Sequence, residues 1–90
     1  MHSNRNEELI DYPCDFPIKV MGPTNDAFAK TIANVILEHD PAFDASTIET
    51  RTSSKGNYSS LTIVVHATSK AQLDQLYIAL SSHPMVKIVI

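Results

Sequence analysis

Stretches in which hydrophobic and polar residues alternate with a period of two take turns along this chain with stretches of helical spacing. At residues 18–21, Ile18 and Val20 fall to one side and Lys19 and Met21 to the other, and Gly22-Pro23 ends the run, which predicts a strand. Pro13 and Pro17 lead into it, each biasing the residue before it toward extended backbone. From Asp26 the spacing changes. Phe28, Ile32, Val35 and Ile36 stand at i, i+4, i+7 and i+8, while Lys30, Thr31, Asn34 and Glu38 take the opposite side. That is an amphipathic helix, which Thr24 or Asn25 can cap and Asp40-Pro41 stops.

After a linker over residues 41–46, the threonine-rich residues 47–52 predict a polar edge strand. Ser53-Ser54-Lys55-Gly56-Asn57-Tyr58 then reads as a hairpin feeding a long strand. In that strand Leu61, Ile63, Val65 and Ala67 are expected to face the core, leaving Thr62, Val64 and His66 outside. Ser69 followed by Gln72 is a capping-box pattern for a second helix with a buried stripe of Leu73, Leu76, Tyr77 and Leu80. His83-Pro84 breaks it. Residues 85–90 alternate again, with Val86, Ile88 and Ile90 expected inward and Lys87 and Val89 outward.

The order is β-α-β-β-α-β, the α+β ferredoxin-like sandwich of a four-stranded antiparallel sheet with two helices on one face. Right-handed crossovers put the first and third strands in the centre and the second and fourth at the edges. Residues 1–11 have no sustained period and are expected to form a flexible arm, and residues 12–90 a single domain.

Composition narrows the chemistry. The sole cysteine, Cys14, allows no internal disulfide, the opening residues have no apolar core for a signal peptide, and no apolar run approaches the ~20 residues of a membrane span. A soluble cytoplasmic protein is the expectation. A formal charge of −3 argues against general binding to nucleic acid or to an anionic membrane, both of which need a dense cationic footprint. His2, His39, His66 and His83 lack the close spacing of metal-ligand pairs, and Cys14 has no recognisable base beside it, so neither a metal, a cofactor nor an enzymatic reaction is expected. The central sheet positions hold no aromatic platform for RNA, and residues 21–26 contain no arginine to hold a phosphate.

Pro17-Ile18-Lys19-Val20-Met21-Gly22, Ser53-Ser54-Lys55-Gly56-Asn57-Tyr58 and the closing Val86-Lys87-Ile88-Val89-Ile90 resemble the YbeD-like family of small bacterial proteins over residues 9–90. The resemblance implies a ferredoxin-like fold related in shape to the ACT domains, which bind amino acids. It implies no assigned reaction, and gene neighbourhood in the family hints at a link to lipoate metabolism.

Two loops and one face are candidate sites. Ser53, Ser54, Lys55, Gly56 and Asn57 offer hydroxyls, an ammonium and turn amides suited to a carboxylate or phosphate, or simply make a turn. Gly22 and Asn25, before the first helix, could hold an anion at its amino terminus, or serve as turn and cap. The uncovered sheet face is expected to carry Lys19, Met21, Arg51, Val64, His66, Lys87 and Val89, with Glu49 as its single acid. Such a mixture suits a protein partner, either another protein or a second copy in a dimer, unless the cations pair with Glu49 across the strands. With the two loops expected at opposite ends of the fold, the interaction module is preferred over a regulatory domain binding a small anionic ligand or amino acid.

Overall fold

A computed structural model describes residues 10–90, so most of the expected arm, residues 1–9, lies outside the described residues. The elements are β1 (Cys14–Pro23), α1 (Asp26–His39), a 3-10 turn (Ala45–Thr47), β2 (Glu49–Thr52), β3 (Tyr58–Ala67), α2 (Lys70–Ser81) and β4 (Ile88–Val89). They build a four-stranded antiparallel sheet in the order β2-β3-β1-β4, with β3 and β1 central as the crossover rule requires. One core joins the inward residues of β1 and β3 (Ile18, Val20, Leu61, Ile63, Val65, Ala67) to Phe28, Ile32 and Ile36 of α1 and Leu73, Leu76 and Leu80 of α2. Among the described residues, no element covers the other face of the sheet.

The helix signals act as the spacing predicts, with small shifts. Asn25, not Thr24, caps α1, its side-chain oxygen accepting from the Ala27 N–H at 2.7 Å. Ser69 caps α2 by accepting from the Gln72 N–H at 3.1 Å, whereas the Gln72 side chain reaches one residue further back than a capping box requires, accepting from the Thr68 N–H at 2.6 Å. The same side chain donates to the carbonyls of His39 and His66, at 2.7 and 3.1 Å, and so ties α2 to the ends of α1 and β3.

β1 runs four residues further back than residues 18–21, through Pro17. Proline is tolerated there because of the direction its nitrogen faces. The Lys19 N–H donates to the Ile90 carbonyl, so alternation turns the nitrogen of residue 17 to the same side, past the residues that β4 pairs. β2 is shorter than expected, because Asp44 accepts from both the N–H and the hydroxyl of Ser46 and holds residues 45–47 in the 3-10 turn.

The fourth strand corrects the expected phase. Val89 pairs with the buried Val20 and packs on the core side, while Ile88 pairs with Met21 on the uncovered face, and reciprocal bonds to Lys19 put Ile90 there too. Val89 therefore does not belong to the uncovered face, and Ile88 and Ile90 do not point inward. The cause is the turn after α2, in which Met85 and Val86 N–H groups bond back to His83 and their side chains pack on the core before the strand begins. With apolar residues at 86, 88, 89 and 90, both phases fit the sequence.

Candidate functional site

The uncovered face is built in rows across the strands. Register aligns Glu49, Thr62, Lys19 and Ile90 in one row and Arg51, Ser60, Met21 and Ile88 in the next. Val64 and Pro17 extend the face at one end and Tyr58 and Pro23 at the other. The longer β1 also brings Asp15 opposite His66, their nearest charged atoms 3.9 Å apart, so the face carries a second acid that the shorter expected strand omitted. Of the predicted face, Lys19, Met21, Arg51, Val64 and His66 lie on it; Lys87 sits at its border, and Val89 is replaced by Ile88 and Ile90.

Two properties distinguish this face. Among the described residues, neither Lys19, Arg51 nor Lys87 has a carboxylate within 4.0 Å, so the cross-strand pairing with Glu49 does not form. Four of the six exposed large hydrophobic side chains of the described residues, Tyr58, Val64, Ile88 and Ile90, lie here, with Ile90 64% exposed. Leu37 and Ile78, the other two, stand on the helices. The sequence held the signal for Val64; for Ile88 and Ile90 the signal was hidden by the ambiguous phase.

The hairpin is a closed turn. Gly56 N–H donates to the Ser53 carbonyl at 2.9 Å, Asn57 and Tyr58 N–H donate to the Ser53 hydroxyl at 3.1 and 3.3 Å, and Ser53 N–H donates to the Tyr58 carbonyl at 2.8 Å. Gly56 takes φ +73°, which explains the glycine. The amides that would cradle an anion at Gly56 and Asn57 are thus occupied, leaving Ser54 and Lys55 exposed at the tip. Gly22 and Asn25 are likewise accounted for. A Cβ on Gly22 would collide with the Phe28 ring and the Met85 carbonyl, and the Asn25 side chain is engaged as the α1 cap.

The two loops nevertheless share one end of the sheet, contrary to the expectation that they lie at opposite ends. β1 and β3 are antiparallel, so Pro23 at the exit of β1 pairs with Tyr58 at the entry of β3. Between them lies a depression of ≈ 580 Å³ lined by Met21, Gly22, Pro23, Asn57, Tyr58, Lys87 and Ile88. It has a largely apolar floor with one ammonium, one phenol and one amide at its rim. Asn25, Ser53, Ser54, Lys55 and Gly56 are not among its walls.

At the far end of β3 a buried acid completes the strand. Asp40, 5% exposed, accepts from the His66 N–H at 3.0 Å, a donor aimed toward the position where β2 has already ended. Read from sequence, Asp40 was only a helix stop. Among the described residues no helix is long and apolar enough to cross a membrane.

Comparison with known proteins places this geometry. The family model described as protein of unknown function, DUF493, matches residues 7–90. A UPF0250 protein of Janthinobacterium sp. is 62% identical over 93% of this chain and 92% of its own length, and one of Paraburkholderia phytofirmans is 54% identical over 98% and 99%. These full-length relatives are in keeping with the resemblance to the YbeD-like family. The solution structure of protein HP0495 from H. pylori superposes with a TM-score of 0.76 over 100% of this chain and 94% of that one, at 18% identity, which speaks for the fold.

Proposed function

This chain belongs to the DUF493 family of proteins of unknown function, and for it we propose a non-enzymatic interaction module of the bacterial cytoplasm that binds a partner protein on the uncovered face of its sheet. The observation that carries the proposal is the concentration of exposed apolar side chains there, Tyr58, Val64, Ile88 and Ile90, interleaved with Lys19, Arg51 and Lys87, cations without an ion pair among the described residues. Isolated exposed hydrophobics are ordinary, but four on one sheet face, interleaved with charge, have the composition of an interface. The partner that suits it presents apolar side chains among carboxylates.

Photo-crosslinking in cells tests this. A probe at Val64 or Ile88 should give a discrete adduct with another protein, a probe at Ile78 on α2 should not, and Lys19→Glu with Lys87→Glu should weaken the adduct. Equal labelling from Ile78, or an adduct indifferent to the charge reversals, would remove the basis for the proposal.

A second reading rests on the depression between the two loops. Its apolar floor and the Lys87 ammonium suit a small amphipathic carboxylate held in a regulatory site. A thermal-shift screen against carboxylates, amino acids and phosphate discriminates: a ligand at ~100 times its dissociation constant adds ~2.7 kcal/mol, and the shift should vanish in Lys87→Ala while persisting in Lys55→Ala.

A further inference from the structure

Among the described residues no strand pairs with the outer edge of β2, and the direction of its free groups follows from the register. Ser53 N–H donates to the Tyr58 carbonyl, so Ser53, Arg51 and Glu49 turn their backbone groups toward β3, and Thr50 and Thr52 turn theirs outward. All four residues of β2 are exposed, so neither helix covers this edge. An uncovered edge is a template for another strand.

The side chains choose among the strands it could accept. Glu49 and Arg51 lie two residues apart on the uncovered face, with no ion pair to either within 4.0 Å among the described residues. If a second β2 is laid antiparallel to the first with the two-fold axis at Thr50, the two Thr50 residues exchange their free N–H and carbonyl groups. Glu49 of each chain then stands directly opposite Arg51 of the other, at the non-hydrogen-bonded positions where opposed side chains approach most closely. Moving the axis by one residue to Arg51 would oppose two guanidinium groups instead. The order acid, threonine, cation is therefore complementary to itself in one register.

We infer that this chain forms a two-fold dimer through β2, joining two four-stranded sheets into one continuous sheet centred on the Thr50 pair. In this arrangement both uncovered faces point the same way and both helical layers the other, so the dimer presents two partner-binding faces side by side. The inference does not rest on the partner proposed for those faces, of whose three cations the dimer engages Arg51 and leaves Lys19 and Lys87, and its test uses the purified protein alone.

Sedimentation of the full chain from micromolar to millimolar concentration should show a monomer–dimer equilibrium weakened by salt. Glu49→Arg and Arg51→Glu should each raise the dissociation constant by roughly tenfold or more, since each replaces attraction by repulsion at two sites. Mixed together in equal amounts, these two variants should associate again, because one chain then offers two cations along its edge and the other two acids, each facing its opposite. Thr50→Pro should abolish the dimer while leaving the melting temperature of the monomer nearly unchanged, as the lost N–H faces away from β3. A wild type that stays monomeric at millimolar concentration would overturn the inference, as would a dimer that both charge variants retain or a mixture no more associated than its components.

Discussion

At the scale of the residue, the positions with the clearest structural duty are polar or small. Asp40 supplies an acceptor to a β3 donor that has lost its strand neighbour, so Asp40→Ala should leave the part-buried His66 N–H without its acceptor and cost about 1 kcal/mol, with Asp40→Asn less damaging because it keeps an acceptor. Thermal melts of the two variants check this. Gly22→Ala should lose about 1–3 kcal/mol, because the Met85 carbonyl it meets is backbone and cannot swing aside as a flexible side chain would. Asp44 carries the pH dependence that the structure makes legible. Hydrogen bonds from the Ser46 hydroxyl and N–H hold its carboxyl below the ordinary 3.8. A carboxyl lowered in the folded state adds stability above its unfolded value and loses it as pH falls through the folded one. The gap in denaturation midpoint between wild type and Asp44→Ala should therefore be open at neutral pH and close below about pH 3.8.

At the scale of the element, the sequence was legible wherever one period dominated. The buried residues of β3 and the stripes of both helices follow from alternation and from i, i+4 spacing, because each of these segments has its buried apolar residues on one side. β4 was not legible, since Ile88, Val89 and Ile90 are all apolar and a turn that packs Met85 and Val86 decides the phase from outside the strand. The same reasoning predicts opposite outcomes for adjacent residues. Val89→Asp should destabilise by about 1–3 kcal/mol as a charge is driven against Val20 and the core, and Ile88→Asp, on the uncovered face, by no more than about 0.5 kcal/mol. Equal losses in urea unfolding would mean that the strand alternates the other way. The candidate site was legible in the same uneven manner. The cations and Val64 of the uncovered face could be placed from strand phase, but the shared end of the two loops could not be seen until β1 and β3 were paired.

At the scale of the whole molecule, the distribution of charge runs against its total. The chain carries −3, yet three of its seven cations, Lys19, Arg51 and Lys87, lie on or beside one face where, among the described residues, Asp15 and Glu49 are the acidic side chains. None of the three cations is tied into an ion pair among the described residues, so none is spoken for by the fold. Residues free of structural duty should be replaceable without loss of the folded state. Lys19→Glu, Val64→Ser and Lys87→Glu should each change stability by no more than about 0.5 kcal/mol, a shift of roughly 2–4 °C in a domain of this size. The same three substitutions should weaken the crosslinked complex on the uncovered face, the two charge reversals most strongly at low ionic strength, because exposed charges steer association and are screened within a Debye length of ~10 Å at 0.1 M salt. Stability and binding are thereby separated on one molecule: a face that melts with the core when altered belongs to the architecture, and a face that loses its partner while the melt stays in place belongs to function.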